Sequence, residues 1–260
     1  VRSPSIGRRR CSLSIASPSS PTVMLLSGGE KASAAHEGAR EARFYPYDYN
    51  GGTVLAIAGP DYAVVAGDTR MSTGFNIKSR SVSKIFEVAP GTMLATGGFR
   101  GDITTLQKLL RAKVTQYAHR HRDTMKPHSI AQMLANTLYG RRFFPYYTWN
   151  VVAGIDENGT GVVYSYDPVG NYERVRVSVT GSGESLIQPL LDNQLERQHQ
   201  ALGAKPPVLS TDLSLEQCIT LVKDAFVSAS ERDIRTGDAV EICSITKEGT
   251  TMQSMPLNID

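Results

Sequence analysis

Gly52-Thr53, Asp68 and Lys84 are the residues of this chain whose types and order could do chemistry. A threonine hydroxyl is a poor nucleophile until a base takes its proton. A threonine at the start of a chain carries that base itself, because an α-amine with a pKa of about 7.7–8.0 is partly unprotonated near neutrality. Cutting the Gly52-Thr53 bond would free such an amine. A nearby lysine ammonium favours the developing alkoxide, and a carboxylate holds the lysine in place. An Asp and a Lys are more often a structural ion pair, so the residue types alone leave both readings open.

These residues need elements to bring them together. Thr53–Ala58 and Tyr62–Gly67 are short apolar runs on either side of Gly59-Pro60-Asp61, and read as strands around a turn. Lys84–Val88 and Met93–Thr96 flank Pro90-Gly91 and read as a second hairpin. Asp102–His119 carries Ile103, Leu106, Leu109, Leu110, Val114 and Tyr117 at helical spacing, and Ser129–Tyr139 repeats this with Ile130, Met133, Leu134 and Leu138. Strands at Trp149–Ile155 and Gly161–Tyr166 enclose Asn158-Gly159, a strong hairpin signal. Tyr172–Val179 reads as one further strand. A helix over about 185–195 and a polar Pro-Pro surface loop over 198–208 follow. Ser214-Leu215-Glu216-Gln217 is a capping box that opens a helix to about Arg232. Val240–Thr246 and Thr251–Met255 close the chain as strands. Strand groups and helix pairs in this order predict an α+β fold with two antiparallel sheets packed together and covered by helices.

Composition narrows the function classes. A length of 260 residues allows one large domain or two small ones. The net charge of +3 is mild and calls for no nucleic-acid partner. No apolar run approaches the ~18–20 residues that span a membrane. Cys11, Cys218 and Cys243 have neither disulfide-framework nor zinc spacing, and a reducing compartment fits them best. The histidines also lack ligand spacing, so neither metal nor cofactor is expected. Residues 1–42 are rich in Ser, Arg, Ala, Gly and Pro, and their first acidic residue is Glu30. That is tail composition, superficially like an organellar transit peptide, and residues 43–260 form the domain. The run Phe143-Phe144-Pro145-Tyr146-Tyr147 follows Arg141-Arg142, and its aromatics and arginines suit a subunit interface slightly better than a core.

The stretch from Gly51 to Lys84 resembles the opening of the proteasome beta subunits, members of the N-terminal-nucleophile hydrolase family. Gly97-Gly98-Phe99-Arg100-Gly101-Asp102 is similar to their glycine turn into the first long helix. Thr180-Gly181-Ser182-Gly183 is similar to their Gly-Ser-Gly turn, and the segment from Glu231 to Asp238 to their late Arg-Asp…Gly segment. Arg141–Tyr147, Tyr166–Gly170 and Gln188–Gln194 extend the likeness, which covers roughly residues 43–257. Ordered motifs over that length are far stronger evidence than one short pattern.

The resemblance implies a four-layer αββα sandwich, and a propeptide over residues 1–42 removed near Ala42 and Arg43. It places Asp68 and Lys84 on the active members' aspartate and lysine, and Ser182 and Asp233 on the serine and aspartate that support the amine and nucleophile. Their second supporting serines are replaced by Glu184 and Thr236. Gly52 falls where the nucleophilic threonine belongs. Thr53 lies 15 residues before Asp68 and 31 before Lys84, each one short of the active pattern. Successive side chains of a strand point to opposite faces, so a slip of one carries the hydroxyl to the wrong side. The expectation is a non-catalytic beta subunit of the core particle that completes a ring and walls the chamber. An active threonine hydrolase with Thr53 as nucleophile is the alternative, and a free-standing scaffold on the same fold is a third. Implied partners are other beta and alpha subunits in stacked seven-membered rings, with heterologous contacts that close a ring. The implied location is cytoplasm and nucleus. The backbone carbonyls around Ser230, Asp233 and Thr236 match a loop that binds a cation in some beta subunits.

Overall fold

Alternation along the strands decides the layering of this protein. The structure, a computed structural model, describes residues 44–196 and 213–259. Its strands and helices, in chain order, are β1 (Thr53–Ala58), β2 (Tyr62–Asp68), β3 (Met71–Thr73), β4 (Asn76–Ser79), β5 (Ile85–Ala89), β6 (Thr92–Gly98), α1 (Arg100–His121) and α2 (Pro127–Tyr139). They continue with β7 (Thr148–Ile155), β8 (Gly161–Tyr166), β9 (Tyr172–Val175), β10 (Val177–Gly181), α3 (Glu184–Leu191), α4 (Leu215–Ser230), β11 (Ala239–Thr246) and β12 (Gly249–Pro256). One five-stranded sheet has the order β10-β1-β2-β11-β12, and the other runs β5-β6-β7-β8-β9. Every pairing in both sheets is antiparallel.

Leu55 and Ile57 of β1, with Val64 and Ala66 of β2, pack against Ile187 of α3 and against Cys218, Val222 and Phe226 of α4. Val54, Ala56, Ala63 and Val65 point the other way and meet Met93, Ala95, Val151, Ala153 and Val163 of the second sheet. The outer face of that sheet, through Leu94, Val152 and Val162, packs on Leu106 and Leu110 of α1 and on Ile130, Leu134 and Leu138 of α2. Three apolar seams therefore join four layers, the αββα sandwich. The central strands β1, β2, β6, β7 and β8 are covered on both faces, which explains why they read as continuous apolar runs, whereas the edge strands β9 and β12 are largely exposed.

Helix boundaries follow local chemistry. Pro127 occupies the first turn of α2, where its missing N–H costs nothing and its fixed φ suits the helix. The sequence places that start at Ser129, two residues late. The capping box of α4 is present: the Ser214 hydroxyl accepts from the Gln217 N–H at 3.3 Å, and the Gln217 side chain accepts from the Ser214 N–H at 2.9 Å. Helix α3 passes into a π-helical turn over Asp192–Glu196.

Two elements differ from expectation. The single strand expected over Tyr172–Val179 divides at Arg176. Its first part, β9, pairs with β8 in one sheet, and its second part, β10, pairs with β1 in the other. No residue between them breaks the β pattern, so the corner is set by which neighbour each half meets. The hairpin of β3 and β4 has no counterpart in the sequence reading, because its residues are mostly polar and too few to show a period. The expected tail over 1–42 and the loop over 198–208 lie outside the described residues.

Phe226 is fully buried in the seam beneath α4. Phe226→Ala should lower stability by about 3–5 kcal/mol. Urea unfolding followed through the single tryptophan, Trp149, would read the shift in midpoint.

Candidate functional site

The ends of β1 and β2 meet the turn before β1. That turn, Asn50-Gly51-Gly52, takes φ values of +69° at Gly51 and +85° at Gly52. Asn50 pins it: its amide donates to the Ser72 carbonyl at 3.3 Å, and its side-chain oxygen accepts from the Arg100 N–H at 2.8 Å. Ordinary side chains rarely adopt such φ values, so two glycines here are a backbone requirement.

Asp68 ends β2 and is fully buried. Its Oδ1 accepts from Lys84 Nζ at 2.7 Å and from the Thr53 N–H at 2.8 Å. Lys84 Nζ also donates to the backbone carbonyls of Arg70 at 2.6 Å and Asp68 at 3.1 Å. Three oxygens thus meet the three donors of one ammonium. Burial pushes the Asp68 carboxyl above the ordinary carboxylate range and the Lys84 ammonium below its ordinary range, and their mutual contact opposes both shifts.

Gly52 lies beside this pair. A Cβ added to Gly52 would stand 2.2 Å from Lys84 Nζ and 2.8 Å from Asp68 Oδ1. The direction that any residue-52 side chain would take therefore leads straight to the lysine. The Thr53 hydroxyl leads elsewhere. Its oxygen accepts from the Gly183 N–H at 2.8 Å and lies 2.7 Å from Thr236 Oγ1. Thr236 in turn donates to Asp233 Oδ2 at 2.6 Å. A carboxylate only accepts, so the Thr236 proton is committed to Asp233 and Thr53 must donate to Thr236. The chain Thr53–Thr236–Asp233 runs on the face of β1 away from Lys84.

Ser182 reaches the site through its backbone, donating its N–H to the Gly52 carbonyl at 3.0 Å. Asp233 also receives the Arg235 N–H at 3.1 Å, and its own carbonyl accepts from the Thr236 N–H at 3.1 Å. Glu184 stands at the first turn of α3, exposed, with its carboxyl raised by partial burial of its surroundings. Among the described residues no group of three His, Cys, Asp or Glu side chains is placed to hold a metal ion. A crevice lined by Asn50, Gly51, Lys84, Gly97 and Arg100 offers about 10 Å³ to the centre of a water molecule, roughly the room for one water.

A neighbouring cluster escaped the sequence reading. Arg70 is buried, with Nε 2.9 Å from Asp238 Oδ2 and Nη1 donating to the Ile234 carbonyl at 2.9 Å. Arg80 also pairs with Asp238. Asp238 takes a φ of +68°, and a Cβ on Gly237 would meet the Arg70 guanidinium at 2.6 Å. Burial alone would raise the Asp238 carboxyl, but the hydrogen bonds and charges of Arg70 and Arg80 hold it below the ordinary range. This cluster fixes the segment that carries Asp233 and Thr236. Its partners lie 168 residues apart, a separation that leaves no local signal.

The model of the proteasome subunit family matches residues 49–245, which include every site residue above. The chain belongs to the proteasome subunit family. It is 47% identical over 225 residues to proteasome subunit beta type-1-B of Carassius auratus, covering 86% of this chain and 93% of that one. It is 48% identical over 221 residues to proteasome subunit beta type-1 of Arabidopsis thaliana, covering 85% and 99%. Against proteasome subunit beta type-1 of Oryza sativa subsp. japonica the identity is 50% over 215 residues, covering 82% and 96%. In this proteasome subunit no described helix is long and apolar enough to cross a membrane.

Gly52→Ala should destabilise more than Gly74→Ala. Both residues have positive φ, but nothing lies within 4 Å of a Cβ on Gly74, whereas one on Gly52 must displace a lysine held by three oxygens. The difference between the two variants should be about 1–3 kcal/mol, read by thermal or urea unfolding.

Asp238 gives a pH dependence whose sign follows from its lowered pKa. Its stabilising contribution is complete above the unfolded value of about 3.9 and is lost as pH falls through the lower folded value. Asp238→Ala should cost about 3–5 kcal/mol near neutrality by removing the carboxylate that pairs with both the buried Arg70 and Arg80. The gap between variant and parent should shrink below about pH 4, measured as urea midpoints across a pH series.

Proposed function

We propose that this chain is a non-catalytic beta subunit of the proteasome core particle, acting in intracellular protein degradation in the cytoplasm and nucleus. Its work is to complete a ring among other beta and alpha subunits, wall the proteolytic chamber and support its neighbours. The observation that carries this reading is the residue at 52. The backbone there aims at Lys84, the position from which a nucleophile would act, and a glycine has no group to offer. The hydroxyl of Thr53 is one residue later and on the other side of β1, engaged by Gly183 and Thr236. The roles given to Asp68, Lys84, Ser182 and Asp233 in this reading are structural: they hold the turn, β1 and the 231–238 segment together.

A second reading draws on the Thr53–Thr236–Asp233 chain. A hydroxyl that donates along a relay ending in a carboxylate is a plausible activated nucleophile. Cleavage before Thr53 would give a threonine hydrolase with that residue at its N-terminus. The cost of this reading is the lysine, which would stand on the wrong face to stabilise the alkoxide.

Intact mass of this chain from purified particles, with and without an N-terminal-threonine-directed covalent inhibitor, separates the two. The proposal expects a mature start near Arg43, Thr53 internal and no inhibitor adduct. A start at Thr53 with stoichiometric labelling would overturn it.

A further inference from the structure

The connection between α2 and β7 divides the aromatic run in two. Tyr146 is buried, with the Arg141 guanidinium 5.6 Å from its ring centroid. It belongs to the seam beneath α2, so the run, expected to suit an interface slightly better than a core, is divided between the two. Phe143 and Phe144 turn outward instead, 94% and 52% exposed. Tyr139, the last residue of α2, is 63% exposed, and Tyr45 is also exposed. Arg142 covers one face of Phe143, at 5.5 Å from the ring centroid.

Such exposure of large aromatic rings opposes folding alone and calls for a cover. The platform beneath them is rigid. Successive turn bonds run from Arg141 N–H to the Leu138 carbonyl, from Arg142 to Tyr139 and from Phe144 to Arg141, at 2.9–3.0 Å. Tyr47 clamps the loop by donating its hydroxyl to the Pro145 carbonyl at 2.6 Å, and its ring stacks on Phe144 at 5.5 Å. Tyr147 and Trp149 continue the aromatic packing inward. Aromatic anchors already held in one conformation lose little entropy on binding. Rings beside arginine are the composition of interface hot spots.

We propose that Phe143, Phe144 and the Arg141-Arg142 pair form a docking knob for a different subunit of the proteasome core particle. The inference rests on the function proposed above. The partner's chemistry follows from charge: neither Arg141 nor Arg142 makes an ion pair among the described residues, and no acidic residue lies between 139 and 149. The receiving surface is therefore an apolar pocket rimmed by Asp or Glu side chains. A second copy of this chain docked knob to knob would bring four guanidinium groups together with no carboxylate supplied by the knob, a repulsive arrangement.

The test uses the full chain, co-expressed with the other core-particle subunits. A photo-crosslinking amino acid at position 143 should join this chain to a different core-particle subunit at a peptide rich in Asp or Glu. A Phe143→Ala/Phe144→Ala chain, tagged and competed against the parent, should enter particles about tenfold less or worse, as for loss of a hot spot. As isolated chains, Phe143→Ala should unfold thermally with the parent, since its ring is exposed, and the double variant should lose in addition only the stacking of Phe144 on Tyr47. Equal incorporation, a crosslink to a second copy of this chain, or a crosslink back to the chain itself would overturn the knob while leaving subunit function intact. Failure of the parent chain itself to enter a particle would overturn both.

Discussion

The buried Lys84 ammonium is the constraint on which the rest of the site depends. A fully desolvated cation is tolerable only where every donor finds an oxygen, and here Asp68 Oδ1 and the carbonyls of Asp68 and Arg70 supply them. Those oxygens come from the end of β2 and the residues just beyond it. The lysine therefore fixes the path by which the chain leaves the first sheet, and with it the place where Arg70 enters the interior. Arg70 then needs Asp238, and Asp238 holds the segment that presents Thr236 and Asp233 to Thr53. One buried charge sets a second buried pair, and that pair sets the hydroxyl chain on the far face of β1.

The same contact explains why residue 52 is a glycine. Asp68 Oδ1 serves two donors at once, the ammonium and the Thr53 N–H, so β1 is drawn in until Gly52 lies against the lysine. The space a side chain would fill is occupied by Nζ. In this arrangement the lysine ammonium is satisfied by Asp68 Oδ1 and by backbone carbonyls. Breaking one partner of such a buried pair leaves an uncompensated charge.

Much of the fold was legible because the central strands of both sheets are buried on both faces. The apolar runs at 53–58, 62–67, 149–155 and 161–166 could hardly be anything else, and their ends fall within one residue of the observed strands. The Ser214 to Gln217 capping box names its helix start outright, because both of its hydrogen bonds are local. The hairpin of β3 and β4 was invisible for the opposite reason, being short and polar. Arg176 looks like any strand residue, yet the chain changes sheets there. The aromatic run shows the limit most clearly: five neighbouring residues of one chemical kind divide between core and surface, according to which way a set of turns points each ring.

By itself the sequence determined the strand and helix pattern, the ordered motifs that carry the family resemblance, and the identities of Gly52, Thr53, Asp68 and Lys84 at their spacing, since these are written in neighbouring residues. Only the tertiary structure decided which way the groups face: that residue 52 aims at Lys84, that Thr53 is held by Gly183 and Thr236, and that Arg70 and Asp238 are partners at all. The physical reason is separation along the chain. A period of two or 3.6 is written in adjacent residues, whereas a contact between residue 53 and residue 236 exists only when two sheets, two helical layers and a buried charge have placed them together.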